Sequence, residues 1–196
     1  ELIEKFDLDR INKANAVFDL SKLEFINKKY ISSASAEDLA DEVDRTLVEA
    51  GLRTAPHGEG ERSRFLSTIE LLKGRVQDLD DFAAYGRPFF TDQYEYEEAA
   101  LERYVEKGPE ALPAALEELK SAYSNLESFD LESTEEVLRA VAERHDLKAG
   151  QLIGAVRVAT TGRGQAPGIF DVLVTLGRER TLDRLQRLIS FLQENG

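Results

Sequence analysis

The chain contains no cysteine and no methionine. Without cysteine it has no disulfide framework, no thiolate nucleophile and no sulfur-ligated metal. Without methionine it has no initiator residue. It opens on Glu1-Leu2-Ile3-Glu4-Lys5-Phe6, which reads as the inside of a helix with no cap ahead of it. Both features predict a piece of a longer protein, with ordinary processing or tag removal as the alternative that composition alone does not separate from it. Histidine is scarce: His57 sits in a polar loop and His145 near a predicted helix end. Neither belongs to an HExxH or other spaced ligand set. No apolar run approaches the about 20 residues a membrane helix requires, and no signal peptide is visible. The many carboxylates fall mostly on predicted exposed helix faces. These absences lead us to expect a cytoplasmic monomer with no membrane partner, no metal and no catalytic residue of its own.

What is present describes a folded chain. Of 196 residues, 42% are hydrophobic and 32% charged, enough to bury a core as one large domain or two small ones. The formal net charge is −13, which disfavours general nucleic-acid affinity because phosphates are repelled at long range. The charge is uneven, however. From Leu147 onward Lys148, Arg157, Arg163, Arg178, Arg180, Arg184 and Arg187 face only Asp171, Glu179, Asp183 and Glu194, so this segment is +3 and the remainder −16. An acidic body with a basic end would let one face meet RNA.

The strong periodicities are helical, so the expected fold class is all-α. Residues 18–27 carry apolar residues at helical spacing after a turn over Asn12–Asn15. Ser35-Ala36-Glu37-Asp38 reads as a cap before Leu39, Val43 and Leu47, and Gly51 falls where a C-terminal glycine belongs. Residues 54–61 form a loop by composition. Phe65, Leu66, Ile69, Leu72, Val76 and Leu79 predict one helix, weakened at Gly74 by about 1 kcal/mol. Gly86-Arg87-Pro88 breaks the next turn. A helix over Leu101–Leu126 is interrupted near Gly108-Pro109 or Pro113. Ser133-Thr134-Glu135-Glu136 reads as a capping box. Gln151–Thr160 predicts a further helix, and Leu182, Leu185, Leu188, Ile189 and Leu192 a last one. Residues 170–174 suit a strand by propensity, but their helical neighbours favour a short helix.

The stretch TTGRGQAPGIFD, from Thr160 to Asp171, departs from this pattern. It is not a Walker loop, which needs GxxxxGK and then Ser or Thr. A turn of this composition can cradle a phosphate, receive a base, or merely join two helices. Pro167-Gly168 followed by Ile169 and Phe170 makes a stiff apolar shelf suited to an unstacked base, and Arg157 can supply donors to a base edge or a phosphate.

Two segments carry a resemblance. FDLDRINKANAVFDLSKLEFINKKYI, from Phe6 to Ile31, and LKAGQLIGAVRVATTGRGQAPGIFDVLVTLGRERTLDRL, from Leu147 to Leu185, resemble the C-terminal tRNA-binding half of bacterial glutamyl-tRNA synthetases. The order and spacing of both fit, so the likeness covers essentially the whole chain. It implies an elongated pair of helical domains that grips the anticodon loop of tRNA(Glu). Residues 1–34 would be the remnant of a linker or stem-contact region, 35–95 a first anticodon-binding subdomain and 96–196 a second. The catalytic domain would lie N-terminal. Its HIGH-like and KMSKS-like signatures are absent here, so ATP and Mg belong to the parent enzyme, and this chain alone should neither bind them nor catalyse aminoacylation. Residue by residue, Arg157 matches the arginine of an R-x-A-x-T-G motif that approaches the anticodon. Pro167, Gly168 and Ile169 match the P-G-hydrophobic turn that packs on anticodon bases. Arg75 matches a position linked to reading the third anticodon base. Ala166 replaces a threonine of some relatives, which leaves only backbone contact there, and Phe25 replaces a common tryptophan. Lys148, Arg163 and Arg178 would touch the RNA backbone. The competing reading is a helical protein–protein module whose apolar turn seats a partner helix.

Overall fold

A computed structural model describes residues 19–53 and 59–195. The expected turn at Asn12–Asn15, His57 and the first part of the Phe6–Ile31 segment lie outside the described residues. Among the described residues the fold is all-α, with no strand. The helices are α1 (Leu20–Ser33), α2 (Ala36–Glu49), α3 (Glu59–Leu72), α4 (Asp80–Ala84), α5 (Arg87–Phe90) and α6 (Glu98–Leu101). Helix α6 runs on into a π-helical turn, Glu102–Glu106. Then come α7 (Leu112–Ser124), α8 (Leu131–Arg144), α9 (Ala149–Thr161), α10 (Ile169–Leu176) and α11 (Arg178–Asn195).

Local chemistry sets most boundaries. Asp19 caps α1 by accepting from the Lys22 backbone N–H at 3.1 Å. The Ser35 hydroxyl accepts from the Asp38 backbone N–H at 3.1 Å and donates to the Asp38 carboxylate at 2.7 Å, which fixes the start of α2. Gly51 ends that helix at φ +68°, a left-handed conformation that favours glycine. Helix α3 stops earlier than its apolar stripe suggests. The Arg75 N–H turns back to the Leu72 carbonyl at 2.8 Å, and Gly74 lies in this turn with open space around it. The expected cost of Gly74 to a helix therefore does not arise. Pro113 stands in the first turn of α7, where proline is tolerated, so the interruption of the long predicted helix falls over residues 107–111 instead.

The cap of α8 differs from expectation. Asp130 is the N-cap, its carboxylate accepting from the Ser133 N–H at 2.9 Å, while the Ser133 hydroxyl accepts from the Asp130 N–H at 3.2 Å. Ser133 is thus the reciprocal partner inside the helix, because a carboxylate three residues upstream makes the stronger, charge-assisted cap. Hydrogen bonds from Ser128 and then Ser133 hold the Asp130 carboxyl down at about 2, below its ordinary 3.8. A depressed folded pKa stabilises above the ordinary value and is lost as pH falls between 3.8 and about 2. The melting temperature of the wild type should fall over that window more steeply than that of Asp130→Asn, which keeps an uncharged cap. Superimposable pH profiles would refute the assignment.

Helix α9 is the axis of the fold. Leu152, Ala155, Val156, Val158 and Ala159 are all buried, and α9 packs on α5, α6 with its π-turn, α7, α8, α10 and α11. Gly154 allows the ring of Tyr104, on the π-turn, to lie directly against it, since a Cβ there would fall 2.2 Å from the ring. Residues 170–174 are helical within α10, which packs on α3, α8, α9 and α11. Helix α10 therefore joins elements on either side of residue 95 into one core that runs from Ile31 to Ile189. Among the described residues no helix is long and apolar enough to cross a membrane.

Candidate nucleic-acid interface

The glycine-rich turn is fastened by its first half and open along its second. Gly162 ends α9 at φ +73°, and a Cβ there would fall 2.2 Å from the Glu95 carbonyl oxygen. The Glu97 N–H donates to the Gly162 carbonyl at 2.7 Å, and the Gly164 N–H to the Glu97 carboxylate at 3.1 Å. The Arg163 guanidinium stacks over Tyr85 at 4.8 Å and donates to the Ala84 carbonyl at 3.1 Å. Two chain segments thus cross at Gly162 with no room for a side chain. Beyond this crossing Pro167 and Gly168 form one edge of a groove of about 1020 Å³. Helix α3 and the turn after it make the other wall, with Arg64, Ser67, Leu71 and Arg75 lining it.

The structure therefore brings Arg75, Pro167 and Gly168 together on one groove. Arg75 is exposed and comes from a turn 92 positions before Pro167 in the chain. The shelf is less apolar than its sequence suggests. Ile169 is 4% exposed and joins Val172, Leu173 and Leu176 on the core face of α10. Pro167 is also buried, so Gly168 with its backbone is the open part of the edge. Arg157 does not line this groove; it is half-buried on α9, and its Nε has no hydrogen-bond partner. Lys148 is exposed at the N-cap of α9. Arg178 is turned inward, donating to the Leu126 carbonyl and lying 5.8 Å from the Phe129 ring.

The excess positive charge after Leu147 is not an open basic face. Arg180, Arg184 and Arg187 recur along one side of α11 and clamp the linker between α5 and α6. Arg184, 3% exposed, donates to the carbonyls of Thr160, Pro88 and Thr91 and to the Asp92 carboxylate at 2.7 Å. Its guanidinium also lies 4.7 Å from the Tyr94 ring. Arg180 reaches Asp92 at 3.0 Å and the Phe89 carbonyl at 2.9 Å, and Arg187 the Tyr94 carbonyl at 3.0 Å. Burial pulls the Arg184 pKa down, against the pull of Tyr94 and Asp92. Burial raises the Asp92 pKa, but hydrogen bonds from Arg184 and Arg180 outweigh it and hold the carboxyl below its ordinary value. The sequence did carry a signal for this clamp: arginines at i, i+4 and i+7 share one helix face.

Charge within the groove is correspondingly simple. Glu70 is ion-paired with Lys73 at 2.8 Å. Asp171 folds back over the start of α10, its carboxylate oxygen 2.3 Å from where a Cβ on Gly168 would stand. That places a negative charge where the helix dipole favours it. Arg64 and Arg75 remain without a side-chain partner. His145 is the C-cap of α8, with its Nε2 2.7 Å from Glu118, as a helix-end histidine should be. Among the described residues no group of three or more His, Cys, Asp or Glu is placed to hold a metal ion.

The groove thus has free guanidinium groups on one wall, and the Gly168 backbone with the Asp171 carboxylate on the other. The model of the anticodon-binding domain family matches residues 24–189. The chain is 42% identical over 187 residues to glutamate–tRNA ligase 2 of Koribacter versatilis (strain Ellin345), covering 95% of this chain and 38% of that protein. It is 38% identical over 194 residues to the glutamate–tRNA ligase of Roseiflexus castenholzii (strain DSM 13941 / HLO8), covering 98% and 38%. The crystal structure of a glutamate tRNA ligase from Elizabethkingia meningosepticum CCUG26117, in complex with its amino acid, has a TM-score of 0.82 at 26% identity. That match covers 97% of this chain and 36% of the other. The chain therefore spans little more than a third of the length of the relatives it matches. With a helical fold and a family match over most of its length, the chain belongs to the anticodon-binding domain family.

Proposed function

We propose that this chain is the tRNA-reading part of a glutamate–tRNA ligase. It binds the anticodon loop of tRNA(Glu) and orients the acceptor end toward a catalytic part outside these 196 residues. The observation that supports this best is the meeting of Arg75 with Pro167-Gly168 on one groove, within a chain that matches the anticodon-binding family. An anticodon base unstacks into the groove and rests against the Gly168 edge. Arg75 then offers its planar set of donors to the base. Residues 35–95 supply the α3 wall and residues 96–196 the α10 wall, so each proposed subdomain contributes half of the reader. Arg157 and Lys148 lie away from this groove, as do Arg163 and Arg178, which are held by protein carbonyls. Of these, Arg157, half-buried on α9, meets a second nucleotide through the outer part of its guanidinium. ATP, Mg and the ligase reaction belong to the catalytic part. The same reading makes this chain a cytoplasmic monomer with no cofactor of its own.

The test is a binding titration with a tRNA(Glu) transcript and an anticodon-swapped transcript. The wild type should prefer the cognate anticodon. Arg75→Gln should lose about 1–3 kcal/mol of that preference, roughly ten- to a hundred-fold, since it removes one bidentate base contact. Arg75 is exposed and unpaired, so its loss should leave the melting temperature unchanged. Equal affinity of the wild type for the two transcripts would sink the proposal.

A further inference from the structure

Most arginines in this protein are spent on the protein itself. Arg45, Arg62, Arg139 and Arg144 pair with carboxylates. Arg87, Arg163, Arg178, Arg180, Arg184 and Arg187 donate to backbone carbonyls. Arg53 and Arg103 lie over aromatic rings. Among the described residues this leaves Arg64, Arg75 and Arg157, whose guanidinium groups have no hydrogen-bonded, ion-paired or aromatic partner. Two of these three are sites that the family resemblance singles out. The third, Arg64, was not anticipated, and it lines the same groove as Arg75, Pro167 and Gly168.

The setting of Arg64 indicates its target. Arg64 lies on α3, eight residues before the last helical residue, Leu72. At about 1.5 Å per residue this places it on the order of 12 Å from the turn that carries Arg75. At that spacing Arg64 sits at a different place along the groove from Arg75, where it meets a different part of the same strand. Ser63 and Ser67 line the groove beside it and are exposed. An arginine fork flanked by two hydroxyls, each able to donate, presents several donors to one anionic oxygen cluster, and among the described residues no carboxylate is paired with it to compete with a phosphate. Glu70, the acid on this wall, is neutralised by Lys73.

We infer that Arg64, with the hydroxyls of Ser63 and Ser67, binds a backbone phosphate of the RNA strand lying along the α3–α10 groove. Arg75 reads and Arg64 positions: a phosphate contact fixes the register of the strand without specifying sequence. The inference rests on the proposed anticodon-reading function and deepens it.

The test is a salt titration of binding by the full chain, with tRNA(Glu) and anticodon-swapped transcripts, for the wild type, Arg64→Gln and Arg64→Lys. Arg64→Gln should weaken both complexes by the same factor, about ten-fold, as loss of one charge-assisted hydrogen-bonded contact. The slope of log K against log salt should become shallower by about 0.7, the value for one phosphate on a single strand. Arg64→Lys should restore the slope and most of the affinity. An unchanged slope, or a loss confined to the cognate transcript, would overturn the inference. A wild type that binds both transcripts alike would instead refute anticodon reading while leaving the slope comparison interpretable, so the two failures are distinct.

Discussion

Arg184→Ala is expected to destabilise the fold by about 3–5 kcal/mol, because three main-chain carbonyls lose a charged donor at about 1–3 kcal/mol each. The guanidinium holds three main-chain carbonyls and the Asp92 carboxylate at once, and it is 3% exposed. Truncation leaves the carbonyls of Pro88, Thr91 and Thr160 without this donor. Each unmet acceptor costs about 1–3 kcal/mol. For a chain of this size that corresponds to a melting temperature lower by about 6–20 °C. Arg184→Lys should recover little, because an ammonium is a point charge and cannot span the four acceptors with a planar fork. Thermal unfolding by circular dichroism is the measurement, and an unchanged midpoint would show that the clamp carries no stability. The effect should reach RNA binding as well. Thr160 lies in the last turn of α9, so Arg184 fixes where the chain leaves that helix toward Pro167 and Gly168.

Gly162→Ala should cost about 2–4 kcal/mol from two independent sources. The residue sits at φ +73°, a left-handed conformation that costs a side chain about 1 kcal/mol or more. Its new Cβ would also fall 2.2 Å from the Glu95 carbonyl oxygen and 3.0 Å from the Tyr94 ring. The oxygen belongs to backbone, so relief requires the two crossing segments to part, at about 1–3 kcal/mol. Gly51→Ala makes the control. It shares the positive φ, at +68°, but has nothing within 4 Å. It should therefore show the conformational cost alone. If the two substitutions lowered the denaturation midpoint equally, the crossing would carry no steric constraint.

How much of this could be read beforehand depended on the range of the interactions involved. The Ser35 cap, the Gly51 stop and the helical α10 follow from neighbours within a few residues, and the sequence showed them. The family motifs around Arg157 and Pro167-Gly168 were also visible, as was Arg75 more faintly. What could not be read was how each arginine is used. The surplus of basic residues after Leu147 suggested an RNA-facing patch. Instead Arg178, Arg180, Arg184 and Arg187 turn toward carbonyls of segments 50 to 100 positions away, and only a folded chain reveals such partners. The burial of Ile169 was not legible for a related reason. Its sequence neighbours place it on a shelf, but the inward side of α10 takes it into the core. Nothing in the local sequence of Arg64 distinguishes it from any other exposed helical arginine.

The groove has walls drawn from α3 and α10, and it exists only while those two helices lie side by side. Whatever occupies it and touches both walls acts as a fastener across residues a hundred positions apart, recognising the native chain and ignoring the unfolded one. At a free concentration one hundred times its dissociation constant, such an occupant would add about 2.7 kcal/mol to the free energy of unfolding. Occupancy can thus be followed as a rise in melting temperature with added RNA, and amide exchange should slow in α3 and α10 together.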